Sequence, residues 1–325
     1  MAIWLNQHDI ESVLTMEAAI TAVESAFRQL ALGKTVMPPR LGFAGNGGGG
    51  AAMPAFIGGD NGGLGIKVVT LFGGNAAKGL PVVNGTLLLL EPDTGRLLAV
   101  MDAGYLTAVR TGAVGGVAAK YLAREDAKEV TIFGAGVQAQ TQLMAACAVR
   151  PIERVQVVEL NRETAVRFAA EMSAKLNIDV SVAEDVQQAV AAADILVTAT
   201  TAHEPIFDGN WLRSGVHING IGSHAAQWRE LDSTAVARAK IITDQTAACL
   251  AEAGDLIIPL QDGTINKGNI HAELGQLITG EKPGRESGEE ITLFKSVGLA
   301  IQDVAAASKV YHLAIAAGIG QQLNN

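Results

Sequence analysis

Two hydrophobic rhythms divide this chain. Over 16–32, apolar residues recur at helical spacing (Ile20, Val23, Phe27, Leu30), with Thr15 placed as N-cap and Gly33 as terminator. The runs 64–72, 82–90 and 97–101 have strand length, and the turn Pro92-Asp93-Thr94-Gly95 joins the last two as a hairpin. Met37-Pro38-Pro39-Arg40 reads as a rigid extended segment, and Gly47 to Gly50 as a mobile hairpin tip or loop. The first hundred residues therefore predict a mixed α+β domain with a largely antiparallel sheet. A helical pattern over 102–123 leads onward. From 130 the rhythm changes: strand-like runs at 130–133, 154–160, 178–182, 194–200, 216–222 and 239–244 alternate with helical stretches such as 138–148 and 163–176. That alternation predicts a doubly wound parallel sheet of α/β class. After the sixth run it stops, and 292–319 reads as a long Ala-rich helix or helix pair. The last stretch is expected to pack on the first domain, leaving a cleft between domains as the site.

The turn after 130–133 carries a recognisable chemistry. Gly134-Ala135-Gly136-Val137-Gln138-Ala139 stands between a buried strand and a helix. In that context Gly134 makes the tight turn and Gly136 lets backbone approach a pyrophosphate. Ala139 keeps the helix close, and the helix N-terminus at Val137 and Gln138 offers N–H groups to the anion. Glu159 ends the second strand, where a carboxylate accepts both ribose hydroxyls of NAD and repels the 2′-phosphate of NADP. NAD, with NADH preferred over NADPH, is the expected cofactor. Thr200, at the end of the fourth strand, joins the expected cofactor set.

Composition narrows the class. The 325 residues suit two domains, and 49% apolar with only 4% aromatic residues suits helices packed closely on a parallel sheet. A net charge of −9 argues against nucleic acid and anionic membrane surfaces. Cys147 and Cys249 imply no disulfide framework. The N-terminus lacks signal-peptide character and no apolar run has transmembrane length, so a cytoplasmic protein is expected. The six histidines show no ligand spacing, so no metal is expected, and no Gly-x-Ser-x-Gly elbow occurs.

What remains is a dinucleotide site plus Arg40, Lys67 and Arg110, cations suited to gripping a carboxylate. Their surroundings carry a resemblance: Pro38-Pro39-Arg40, Gly65-Ile66-Lys67-Val68, Leu106 to Ala113, Ile132 to Ala139, Ile218 to His224 with Arg229-Glu230-Leu231-Asp232, and Phe294 to Asp303. The chain resembles the ornithine cyclodeaminase/mu-crystallin family along nearly its whole length. The resemblance implies a homodimer, a Rossmann domain over 116–299, and a substrate-binding and dimerisation domain from 1–115 and 300–325. It also implies chemistry on small amino and imino acids. Arg40, Lys67 and Arg110 match the family's substrate-carboxylate grip, with Lys67 also placed to move protons. Thr111 resembles a residue that helps hold the cofactor phosphates, and Ser296-Val297-Gly298 the segment near the nicotinamide.

Two departures refine the expectation. Cyclodeaminases and archaeal-type alanine dehydrogenases carry Asp at the position of His224, and cyclodeaminases a Glu just before Met53-Pro54, where this chain has Ala51-Ala52. Both carboxylates for a second ammonium are missing. Gly222-Ser223-His224 resembles the imine-reducing members, with His224 an acid/base group near neutral pH. The expected reaction is NAD(P)H-dependent reduction of a cyclic ketimine, Δ1-pyrroline-2-carboxylate or Δ1-piperideine-2-carboxylate, to the L-amino acid. Alanine dehydrogenase, ornithine cyclodeaminase and a non-catalytic crystallin-like binder are the alternatives. Asp232 is expected to cap the next helix.

Overall fold

A computed structural model describes residues 2–59 and 62–323. The chain divides into two units, Met1–Thr111 with Leu299–Asn325, and Gly112–Gly298.

The first unit opens with β1 (Ala2–Leu5), α1 (Gln7–Val13) and α2 (Met16–Ala31). Thr15 caps α2 by accepting the Ala18 N–H, and the helix buries Ile20, Val23 and Phe27, the stripe its spacing predicts. Strands β2 (Thr35–Val36), β3 (Leu41–Gly45), β4 (Gly48–Ile57), β5 (Gly63–Leu71), β6 (Val83–Leu90) and β7 (Leu97–Asp102) follow. The run β4 to β7 pairs antiparallel in sequence order. The glycine run is thus a hairpin tip in part only. Gly48, Gly49 and Gly50 belong to β4, where residues 41–45 pair with 48–52. Helix α3 (Gly104–Leu122) comes next, and the boundary between the units falls within it.

The second unit contains β8 (Glu129–Phe133), α4 (Val137–Val149), β9 (Arg154–Val158), α5 (Arg162–Leu176), β10 (Asp179–Val182), α6 (Val186–Ala192), β11 (Ile195–Thr198) and β12 (His217–Gly220). It continues through α7 (Ser233–Arg238), β13 (Lys240–Thr243), α8 (Thr246–Glu252), α9 (Gly254–Gln261), β14 (Ile270–Glu273), α10 (Leu274–Thr279) and β15 (Thr292–Lys295). The sheet order is β10-β9-β8-β11-β12-β15-β13-β14, and every pairing is parallel. From β8 the chain winds outward one way to β9 and β10, then returns to the other side at β11. The fold is a Rossmann-like doubly wound sheet, with its switch point between β8 and β11. Asp232 caps α7 as expected, accepting the Ala235 N–H.

The chain closes in the first unit with α11 (Ala300–Ala317) and β16 (Gln321–Leu323). Helix α11 packs on α2, β4 and β5, while β1 lies between β7 and β16. The terminal strands are too short to show a period.

A larger expectation also fails. The stretch 292–319 is not a helix or helix pair. Residues Thr292–Lys295 are a fully buried strand between β12 and β13, so the alternation does not stop at the sixth strand. Four buried residues carry no periodicity to tell strand from helix. Gly298, at φ 80, then turns the chain, and only from Ala300 does the helix run.

Lys295 ends that strand with no exposed surface, its Nζ 2.7 Å from Oδ2 of the equally buried Asp255. Asp255 Oδ1 also accepts the N–H groups of Glu230 and Leu231. Removing one partner leaves a buried charge uncompensated. Asp255→Ala is therefore expected to lower unfolding free energy by about 3–5 kcal/mol, read from urea unfolding. A loss below about 1 kcal/mol would mean that water reaches Lys295.

Candidate functional site

The expected cofactor residues of the second unit gather at the C-terminal edge of the parallel sheet, while Thr111 belongs to the first unit. Gly134 holds φ 94, and a Cβ there would stand 2.6 Å from the Ala199 carbonyl oxygen, so only glycine fits the turn. Its N–H donates to the Val158 carbonyl at 2.9 Å, which sets the turn beside the end of β9. Gly136 is the N-cap of α4 and no side chain caps that helix end. A Cβ on Gly136 would meet no atom within 4 Å, so backbone is open to approach there. Val137 is exposed, and Gln138 has a buried Oε1 without a hydrogen-bond partner. Uncapped N–H groups and an open glycine together fit a dinucleotide pyrophosphate. Glu159 follows β9 directly, partly exposed, one oxygen accepting the Asn161 N–H at 3.1 Å.

Two buried carboxylates shape the rest of this edge. Glu230 Oε1 accepts both the N–H and the hydroxyl of Thr200, each at 2.7 Å. Its Oε2 accepts the Thr198 hydroxyl and the Gly222 N–H, each at 2.8 Å. One side chain thus ties the end of β11 to the end of β12. Asp244 Oδ2 accepts the Ser296 hydroxyl at 2.7 Å and the N–H groups of Val297 and Gly298, both at 2.9 Å. The segment 296–298 is held by that one oxygen. His224 lies exposed beyond β12, its Nδ1 2.9 Å from the Gly222 carbonyl. A carbonyl only accepts, so Nδ1 carries the hydrogen and the neutral ring keeps the Nε2 lone pair available.

In the first unit, the centre is Asp303 on α11, wholly buried. Its Oδ1 lies 2.8 Å from Lys67 Nζ on β5 and 2.8 Å from Arg110 Nε on α3. The arginine contact is an ion pair off the N–H direction, since Nε makes no hydrogen bond. Arg110 Nη1 donates to Gln302 Oε1 at 2.5 Å. Thr111, beside it, donates its hydroxyl to the Thr107 carbonyl at 2.8 Å. Burial brings the Lys67 pKa down to about 8; Asp303 opposes that, while the positive charges of Arg110 and Arg40 add to it. The expected cation set is thus a real cluster around Lys67. The chemistry of such a cluster suits an anion and a lysine able to trade a proton near its lowered pKa.

Residues 2–317 match the ornithine cyclodeaminase/mu-crystallin family. The chain belongs to this family. The Δ1-pyrroline-2-carboxylate reductase of Bacillus cereus is 39% identical over 322 residues, covering 98% of each chain. The structure of Thermococcus litoralis Δ1-pyrroline-2-carboxylate reductase in complex with NADH and L-proline superposes with a TM-score of 0.94. That protein is 45% identical, with 99% of this chain and 100% of that one covered. An archaeal alanine dehydrogenase dimer with bound NAD gives a TM-score of 0.93 at 39% identity, with 99% of each chain covered.

For this family member, sequence reasoning assigned no role to Asp303, Gln302, Glu230 or Asp244. Gln302-Asp303 did leave a signal, as two polar residues inside an apolar helical run. An adjacent polar pair there must face a partner in the core. Glu230 stands within the Arg229-Glu230-Leu231-Asp232 likeness and Asp244 ends the sixth strand run, and neither position tells which groups the side chain meets in the fold.

The ionisation of Lys67 is directly testable. In [ε-13C]lysine NMR, with Lys67→Arg for assignment, one resonance is expected to titrate with a midpoint near 8. A midpoint at the ordinary lysine value of about 10.4 would mean that the cluster is hydrated in solution.

Proposed function

We propose that this chain reduces a small 2-imino acid to the L-amino acid with NADH, the substrate being a cyclic ketimine such as Δ1-pyrroline-2-carboxylate or Δ1-piperideine-2-carboxylate. The observation that carries the reading is the buried Lys67, depressed to about 8 beside Arg110, in a chain matching imine reductases over its whole length. Arg110 and Arg40 hold the substrate carboxylate and so fix the C=N bond. Lys67 gives a proton from Nζ to the imine nitrogen, which makes the carbon a good hydride acceptor. NADH, when bound, supplies the hydride to that carbon. The carbon gains the hydride, the nitrogen gains the proton, and neutral Lys67 takes a new proton from solvent. His224, whose Nδ1 is held by the Gly222 carbonyl, is the second candidate proton donor.

On the cofactor side, Gly134, Gly136, Val137 and Gln138 take the pyrophosphate with Thr111, Glu159 the adenosine ribose, and Thr200, Val297 and Gly298 the nicotinamide half. The substrate side favours an uncharged side chain. The cross-strand neighbours of Lys67 are Met53 and Leu87, both buried and apolar. Ala51 and Ala52, just before Met53 on β4, offer no carboxylate to a second ammonium. Alanine dehydrogenation, with the imine formed from pyruvate and ammonia, is the second reading, favoured by the likeness to the archaeal enzyme. Exposed Leu41, Phe43, Val68 and Leu88, which the register puts on one face of β3, β5 and β6, give the first unit an apolar surface suited to a homodimer. Among the described residues no helix is long and apolar enough to cross a membrane; we place the protein in the cytoplasm.

NADH absorbance should fall fastest on one of the two ketimines, more slowly with pyruvate and ammonia, and ornithine with NAD should release no ammonia. Ammonia release with inert ketimines overturns the reading. Lys67→Ala should cut turnover by about 10²–10⁴-fold while the NADH Kd stays within about twofold; a pure binding protein has no turnover to lose. Lys67 donates only while charged, so kcat/KM should decline as pH rises through about 8.

NADH should exceed NADPH in kcat/KM, and Glu159→Ser should narrow that ratio by about tenfold or more, since roughly 1.4 kcal/mol of repulsion is a factor of ten. A wild-type preference for NADPH removes Glu159 from its role.

A further inference from the structure

The cluster around Lys67 contains a group that the reaction scheme above leaves idle. Asp303 has no exposed surface, and its Oδ1 is shared between Lys67 and Arg110. Its Oδ2 has no hydrogen-bond partner, and neither has Nε2 of the neighbouring Gln302. A carboxylate kept for stability alone would be expected to fill both oxygens, because an unsatisfied buried acceptor is costly. The charged groups acting on Lys67 are Asp303 from α11, Arg110 from α3 and Arg40 from the segment before β3. Two of these three are positive. Lys67 sits on a strand flanked by apolar Met53 and Leu87, so no other side chain on the adjoining strands compensates it.

We propose that Asp303 is the positioning residue of Lys67, aiming Nζ through a 2.8 Å hydrogen bond and keeping the ammonium charged against burial and two arginines. Lys67 springs from β5 and Arg110 from α3, and one oxygen on α11 takes both. Asp303 therefore sets where the proton donor stands relative to the carboxylate grip. Without its negative charge, every remaining influence of burial and neighbouring charge on Lys67 favours the neutral amine. A neutral Lys67 has no acidic proton to give an imine. Gln302 does the corresponding work for Arg110, which its Oε1 holds by Nη1.

This inference rests on the reading of Lys67 as proton donor, and the test separates the two. Asp303→Asn keeps the shape and removes the charge. Thermal unfolding and NADH fluorescence titration first establish that the variant is folded and binds cofactor within about twofold of wild type. The Lys67 resonance in [ε-13C]lysine NMR should then titrate at least about one pH unit lower than in wild type. The alkaline limb of kcat/KM should move down by the same amount. If the NMR midpoint moves and the kinetic limb does not, Asp303 governs Lys67 but Lys67 is not the donor, and the functional reading fails instead. If neither moves, Asp303 is structural and the inference is overturned. Asp303→Glu is the second variant. It retains a carboxylate, so its Lys67 midpoint should lie above that of Asp303→Asn. Where the Asn variant does not fold, a Glu variant that still folds and titrates at least one unit below wild type overturns the role of the charge.

Discussion

A charge taken out of water must be met by other groups, and that requirement organises both units. In the parallel-sheet unit, Lys295 lies between Asp255 and Glu230, all three without exposed surface. Asp255 holds the backbone at Glu230 and Leu231, and Glu230 in turn gathers Thr198, Thr200 and Gly222. Asp244 gathers residues 296–298 in the same way. The loops at the C-terminal edge are thus held by buried carboxylates, Glu230 and Asp244 in the connections after β12 and β13 and Asp255 on α9. Burial pushes the Glu230 carboxyl upward, with Lys295 and the donors from Thr200 pulling against it. The network is held by many bonds of modest net value, which is a source of rigidity more than of stability.

The two buried lysines show how neighbours turn the same burial into opposite behaviour. Both have essentially no exposed surface. Burial works against the Lys295 ammonium, yet Asp255 and Glu230 outweigh it and its pKa lies above the usual lysine value. Lys67 has one carboxylate, shared with Arg110, and a second arginine nearby, so burial prevails and its pKa falls to about 8. A lysine with two carboxylates is a structural cation. One with a shared carboxylate and two like charges has a proton it can lose. The difference lies in what surrounds the side chain, not in the residue type.

Much of the architecture was legible in the sequence because periodicity and glycine placement report directly on backbone. The stripe Ile20, Val23, Phe27, the turn Gly134-Ala135-Gly136 and the hairpin at residues 92–95 each have a local cause, and each appears where its spacing puts it. Failures came where a segment is too short or too uniformly buried to have a period, or where, as in ten-residue β4, a run of glycines and alanines opens the strand and masks one. Strand β15 is four buried residues and reads as part of the helix after it, and half-buried β14, also four residues, is too short to show a period. Site residues divide along a similar line. Arg40, Lys67 and Arg110 stood out as charges in apolar surroundings. Asp303, Glu230 and Asp244 act through partners tens to hundreds of positions away, such as Lys67 for Asp303 at a separation of 236 residues. No local pattern encodes such a partner; only the fold brings it into contact.

The arrangement around Lys67 also bears on why a carboxylate-bearing substrate suits it. Two arginines near a buried lysine, balanced by one carboxylate, leave an excess of positive charge in a place with little water. An anion drawn to Arg110 and Arg40 cancels the two charges that press Lys67 toward its neutral form. Under the proposed roles of these side chains, binding of the substrate carboxylate favours the protonated state that the imine needs, and by linkage the protonated state favours binding. A ligand without the carboxylate forfeits the grip and the proton together. On this reading, discrimination for 2-imino acids over simple imines follows from the charge balance of four side chains, without a pocket shaped to the rest of the molecule.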